Sequence, residues 1–294
     1  MRVLVLGAGG QLGTDLLAAL ADAGHEAVGA GRSEVDVTDD LQVRSALAGG
    51  RPDRVVNCAA YTRVDQAESE PELAFAINRD GAGVVAGACA EAGVPLCHIS
   101  TDFVFGQAVE GTPRPWRTTD DPEPQGVYAK SKREGEVACQ EMGGPLYLVR
   151  TSWLYGNRGP NFPLAILRAA AARRELRVVS DQVGAPTWTR DLSTAICWLI
   201  STPHLGIHHL CGQGATTWYE FARATLEEVG IQARIEPVST ADWGAAAPRP
   251  RYSVLDNSRF LELGGPALAE WRSELRDYLG SERDGAVRAA LSGA

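Results

Sequence analysis

Tyr128 and Lys132 stand four residues apart in Tyr128-Ala129-Lys130-Ser131-Lys132. On a helix that spacing puts both side chains on one face. An ammonium beside a phenol favours the phenolate, so Lys132 is expected to lower the tyrosine pKa from its ordinary value of about 10. Such a tyrosine donates a proton to a carbonyl oxygen as hydride reaches the carbon, the role of a general acid. Lys132 can also hold the hydroxyls of a nicotinamide ribose. Alone the pair is weak, because any helix carries Y-x-x-x-K by chance. Two other segments add to it. Ile99-Ser100-Thr101-Asp102 ends an apolar run that reads as a strand, where a hydroxyl faces the same crevice. Asn57-Cys58-Ala59-Ala60-Tyr61-Thr62 ends another strand with small residues that let a cofactor lie close.

The cofactor itself is suggested by Gly7-Ala8-Gly9-Gly10-Gln11-Leu12-Gly13, directly after the first strand. Gly7 permits the tight turn, Gly10 lets the backbone approach a pyrophosphate, and Gly13 lets helix and strand pack closely. The bland alternative is a merely tight strand–helix turn; the position between a clear strand and a clear helix argues for the nucleotide. After the second strand comes Ala30-Gly31-Arg32-Ser33, with no acid at its start to accept from a ribose 2′-hydroxyl. Arg32 and Ser33 therefore favour NADPH, with NADH as the alternative. Asp36-Val37 follows, and Asp36 is a candidate for the adenine edge.

These motifs require particular elements beneath them. Val3 to Leu6, Glu26 to Gly29, Arg54 to Asn57, Pro95 to Ser100 and Leu146 to Thr151 read as strands. Between them, Thr14 to Ala23, Val43 to Leu47, a long Ala-rich stretch from Pro71 to Ala92, and Tyr128 to Glu141 read as helices. That alternation indicates a parallel sheet covered on both faces. After about Thr151 the prolines multiply and the elements shorten, with amphipathic helices at Phe162 to Arg174 and Trp218 to Val229. A terminal helix is expected at Trp271 to Leu279, and a small, polar, frayed tail runs to Ala294. The expected fold is α/β: a Rossmann-like doubly wound parallel sheet with a smaller, irregular α/β substrate-binding lobe. Residues 1–150 form the cofactor domain, and residues 151–294 form mainly the substrate lobe, with some segments returning to the sheet. The ligand is expected between them, at the carboxyl ends of the strands.

Composition excludes several classes. The 294 residues are 45% hydrophobic and 22% charged, an ordinary globular balance. The net charge of −9 argues against nonspecific nucleic-acid binding, which needs dense positive charge. No apolar run approaches the roughly 20 residues of a membrane span, and Val3 to Leu6 is too short for a signal-peptide core. The chain reads as cytoplasmic, without nucleic-acid or membrane partners. Its six cysteines have no C-x-x-C pair and read as reduced, mostly buried thiols.

Taken in order, the glycine loop, N-x-A-A, S-T-D and Y-x-x-x-K resemble the extended short-chain dehydrogenase/reductases, and more narrowly the dTDP-4-dehydrorhamnose reductases. The resemblance also covers Val64-Asp65-Gln66-Ala67-Glu68-Ser69-Glu70-Pro71, Arg150-Thr151-Ser152-Trp153, Asp181-Gln182-Val183-Gly184-Ala185-Pro186-Thr187 and Arg249-Pro250-Arg251-Tyr252-Ser253. It implies that Thr101, Tyr128 and Lys132 are catalytic. It implies that Gly7, Gly10, Gln11, Leu12, Gly13, Ala59, Ala60, Tyr61 and Thr62 line the cofactor. It places Val64, Thr101, Asp102, Phe103, Tyr128, Trp153, Gln182 and Arg249 with the substrate. Phe103 departs from the tyrosine common in the family, and residues 106 to 126 follow the family loosely.

The implied reaction is NADPH-preferring reduction of the C4 ketone of a dTDP-4-keto-6-deoxy sugar, dTDP-4-dehydro-L-rhamnose giving dTDP-L-rhamnose. The alternatives are a deoxysugar 4-ketoreductase acting on another sugar or stereochemistry, and a non-catalytic NADP-binding regulatory subunit. Both ligands are diphosphates, so an acidic chain must hold them through the glycine turn and placed cations such as Lys132, Arg32 and Arg249. A homodimer is the expected assembly. Mg²⁺ is associated with several reductases of this kind, yet no carboxylate cluster identifies a site. His208 and His209 alternate in a strand and point to opposite faces, which favours a structural role over a metal. Asp120, Asp121 and Glu123 read as a solvated loop.

Overall fold

In the computed structural model, residues 1–106, 113–172, 175–281 and 285–292 are described. Strands β1 (Arg2–Leu6), β2 (Glu26–Ala30), β3 (Arg54–Asn57), β4 (Leu96–Thr101) and β5 (Leu146–Thr151) pair in parallel, and the Gly206–His209 strand joins beside β5. The order across the sheet is Gly206–His209, β5, β4, β3, β1, β2. Chain order reverses between β1 and β3, so the crevice for a ligand opens at the carboxyl ends of those strands.

Helices cover both faces, which is why β1 is apolar at every position from Val3 to Leu6. On one face Leu12, Leu16 and Leu20 of α1 (Gln11–Asp22) meet Leu192, Ile196 and Leu199 of the Thr189–Ile200 helix. On the other, α2 (Asp40–Gly50) buries Val43 and Leu47 against Val85 and Cys89. The second core joins Leu164 and Leu167, Phe221 and Leu226, and Trp271, Leu275 and Tyr278, each set from a different helix. Glu175–Val179 pairs in parallel with Arg234–Val238 beside it.

Two expectations need correction. The helix expected from Pro71 to Ala92 is interrupted: after a short Val64–Ala67 helix (α3), Pro71–Phe75 (α4) and Gly81–Ala92 (α5) flank a π-helical turn at Ala76–Asp80. The wide turn presses against the following helix α6 (Gly126–Glu141), where a Cβ at Gly135 would come within 2.0 Å of the Asn78 carbonyl. Such turns gather at functional sites. The tail is not frayed over residues 286–291: a helix spans Ala286–Ser292 and buries Val287 and Ala290 in the second core. Its small residues suit close packing, which a reading of polarity missed. The expected helix end at Arg174 lies outside the described residues, as does part of the 106–126 loop.

Candidate active site

Gly7 holds a φ of 72°, and a Cβ there would sit 2.6 Å from the Ala59 nitrogen. A Cβ at Gly13 would sit 2.5 Å from the Gly7 carbonyl oxygen. Any larger residue would therefore push apart β1, β3 and α1. Helix α1 has no side-chain cap and no acid in its first turn, so its first N–H donors suit a phosphate. The cradle fits a dinucleotide pyrophosphate. Leu12 is buried in the core, so only its backbone can take part. Gln11 turns its amide away to donate to the Pro160 carbonyl at 2.6 Å, tying the glycine turn to the second half of the chain.

Past β2, Arg32 is largely exposed and lies 3.8 Å from Asp36, with Ser33 also exposed. Asp36 accepts from the Thr38 N–H and hydroxyl at 3.0 and 2.8 Å, which holds its carboxyl below the ordinary range. Val37 is buried. Sequence reasoning missed Glu34, whose carboxylate accepts from the Gly31 N–H at 2.8 Å and so brings an acid to the end of β2. At the end of β3, Ala59 donates to Asn57 Oδ1, Thr62 is exposed, and Tyr61 donates its hydroxyl to Glu70 at 2.8 Å.

Thr101, Asp102, Phe103, Tyr128 and Lys132 come together at the carboxyl end of β4. Helix α6 begins at Gly126 (φ 78°), where Glu68 accepts from the Val127 N–H at 2.7 Å. Two residues on, Tyr128 packs edge-on to Phe103, with ring centroids 5.5 Å apart. Burial pushes the Tyr128 phenol up to about 12, while a hydrogen bond from Thr101 pulls the other way. Here the expected effect of Lys132 is corrected. Burial leaves the phenol raised and not lowered, and the ammonium donates to the Ile99 carbonyl at 2.7 Å. Shared helix face gave proximity, but the long Lys132 stem runs under the helix to β4. Burial lowers Lys132 itself to about 8. Burial raises the neighbouring Asp102 to about 7.

Glu136, one turn beyond Lys132, was not picked out by spacing arguments, although Y-x-x-x-K-x-x-x-E continues the same face. It is fully buried and accepts from Ser100 Oγ at 2.6 Å, from Arg150 at 2.9 and 2.8 Å, and from Arg133 at 3.0 Å. Burial works to raise its carboxyl, but Arg150 prevails and holds it below the ordinary value. It thus ties α6 to β4 and β5. Asn78 is a second missed tie: it accepts from the Tyr61 N–H and donates to the Tyr61 carbonyl and to Ser131 of α6.

The other substrate candidates lie farther along the chain. Arg249 grips Asp65 with two hydrogen bonds of 2.9 and 2.7 Å, anchoring its segment to α3 beside Val64. Trp153, two residues past β5, has a φ of 47°, a strained conformation costing roughly 1–3 kcal/mol. Its indole stacks on Trp218 at 3.5 Å. Gln182 is buried and its amide is engaged by Trp218 and Thr240.

His208 and His209 are buried in their strand, bonded to the backbone oxygens of His204 and Trp116. Among the described residues, no group of three His, Cys, Asp or Glu could hold a metal ion. Asp120 is not free in solvent as expected: Arg114 holds it at 2.7 and 2.8 Å, and its carboxyl falls to about 2. No helix among the described residues is long and apolar enough to cross a membrane.

The family model for the RmlD substrate binding domain matches residues 1–283. The spore coat polysaccharide biosynthesis protein SpsK of Bacillus subtilis is 43% identical over 95% of this chain and 96% of its own. A dTDP-4-dehydrorhamnose reductase of Streptomyces griseus is 42% identical over 94% of this chain and 92% of its own. A solved dTDP-4-dehydrorhamnose reductase from Bacillus anthracis, in complex with NADP, superposes with a TM-score of 0.91 at 36% identity, covering 95% of this chain and 99% of that one.

Proposed function

The chain belongs to the dTDP-4-dehydrorhamnose reductase family and is an NADP-dependent oxidoreductase, and from that premise we propose that it reduces the C4 ketone of a dTDP-4-keto-6-deoxy sugar, converting dTDP-4-dehydro-L-rhamnose to dTDP-L-rhamnose. The reading divides the chain into a cofactor lobe over residues 1–150 and, over residues 151–294, mainly a sugar-nucleotide lobe, with the Thr189–Ile200 helix and the Gly206–His209 strand returning to the sheet. Gly7, Gly10, Gly13 and the first turn of α1 hold the pyrophosphate, and Arg32 with Ser33 meets the adenosine end. When bound, the nicotinamide supplies the hydride.

The residues of this chain handle the ketone and the proton. Thr101 Oγ1 orients the ketone oxygen. Tyr128 Oη gives that oxygen its proton, leaving a phenolate that solvent reprotonates. A phenol raised to about 12 is fully protonated at neutral pH, which is the state an acid needs. Lys132 spends one N–H on Ile99 and keeps two for ribose hydroxyls. The observation that carries this reading is the packing of Tyr128 edge-on against Phe103, two residues past Thr101 at the carboxyl end of β4.

The test is direct. Purified protein is given NADPH and a panel of dTDP-4-keto-6-deoxy sugars, and the products are assigned by NMR. Loss of the reduced-nicotinamide absorbance with formation of the rhamno-configured product is expected. Turnover of a different sugar would replace the substrate, and no turnover with intact NADPH binding would overturn the catalytic reading.

A further inference from the structure

A bulky residue keeps a left-handed backbone only where its surroundings hold it there, and Trp153 at φ 47° has such surroundings. Trp218 lies parallel to its indole, 3.5 Å away and 4° from coplanar. Gly184 lies so near that a Cβ would come within 2.3 Å of Trp153 Cε2. The Thr187 N–H donates to the Trp153 carbonyl at 3.3 Å.

Trp218 is itself fixed. Its indole N–H donates to Gln182 Oε1 at 3.1 Å. The Gln182 amide donates to Thr240 Oγ1 at 3.0 Å, and that hydroxyl donates to Asp181 at 2.6 Å. Phe162 packs on the Trp218 ring at 4.6 Å. The chain of contacts ends at an indole placed two residues beyond β5, on the carboxyl side of the sheet.

We propose that Trp218, held by Gln182, is a positioning residue that presets Trp153 for the sugar nucleotide. The inference rests on the reading that Trp153 borders that substrate. An indole already locked in place loses no rotamer freedom when the ligand arrives, so the ordering cost is met in folding and the gain appears as affinity. Gln182 accordingly acts behind the site and does not touch the sugar.

Trp218→Leu should raise KM for the 4-keto sugar nucleotide about 5- to 10-fold, the size expected from freeing one large side chain. The turnover number should stay within about twofold and NADPH affinity should be unchanged, since neither depends on the indole. Trp218→Phe, which keeps an aromatic face, should recover most of the loss. The near-ultraviolet exciton signal of the paired indoles should vanish in Trp218→Leu. If that variant does not fold, Gln182→Leu carries the test, with a smaller rise in the same KM. An unchanged KM, or equal losses in turnover and NADPH affinity, would overturn the proposal. The readings fail separately: an unsubstituted protein that reduces no sugar nucleotide removes the proposed function and the clamp together, whereas an active one with an unmoved KM in the variants removes the clamp alone.

Discussion

Lys132 Nζ donates to the backbone carbonyl of Ile99 at 2.7 Å, so the ammonium four residues from Tyr128 is anchored on β4 beneath it. The contact ties the helix bearing the phenol to the strand bearing Thr101. Burial keeps the phenol protonated through the neutral range.

Tyr128→Phe removes the proton donor and keeps the ring against Phe103. Turnover should fall on the order of 10²- to 10⁴-fold, while NADPH affinity, measured by fluorescence titration, stays within a few-fold. A variant with near-normal turnover would exclude Tyr128 as the acid.

The pH profile follows from Lys132. Burial lowers it from 10.5 to about 8, so its charge is present below that value and lost above it. Turnover should be level near neutrality and decline with an alkaline midpoint near 8, well before Tyr128 titrates near 12. A profile level to pH 10 would contradict the assignment.

Arg150 is fully buried and makes two hydrogen bonds to Glu136. Arg150→Met leaves a buried carboxylate with only Ser100 and Arg133, and should cost about 3–5 kcal/mol of stability. Replacing both partners together, Arg150→Met with Glu136→Leu, should cost less than the single change. Denaturant unfolding checks both.

Glu274 is raised by burial from 4.5 to about 8, and one of its oxygens accepts from the Trp188 N–H at 3.1 Å. A carboxyl whose folded pKa is raised takes up protons on folding, so stability falls as pH rises through the window from 4.5 to about 8. Glu274→Gln keeps the acceptor and removes the titration. Its melting temperature should therefore gain on that of the unsubstituted protein as pH rises from 5 to 8.5. A constant difference would show that the carboxyl does not titrate there.

Arg32→Ala should raise KM for NADPH roughly 10-fold, the loss of one charge-assisted contact, and leave KM for NADH unchanged. The nearby Glu34 carboxylate supplies the contrast: Glu34→Gln should weaken NADH, because an amide accepts less strongly from the 2′-hydroxyl, and tighten NADPH, because it no longer repels the 2′-phosphate. Steady-state kinetics with both cofactors decide this.

The sheet, the glycine turn and the meeting of Thr101 with Tyr128 could be read from residue types alone. Apolar β-branched runs, a glycine where φ is positive and helical spacing are local rules, and the parallel topology leaves few places for the segments to go. What the chain order could not disclose was where long side chains end. Lys132 and Tyr128 share a helix face, yet burial raises the phenol, and the ammonium is bonded to a backbone acceptor on β4. Glu34 follows β2 by four residues and bends back to its end. Trp153 and Trp218 are separated by a stretch of chain no spacing rule spans, and only the packing of the second core lays one indole on the other. Burial then sets the charges at the site, because the cost of removing a group from water depends on all its neighbours in space and not on those beside it in sequence.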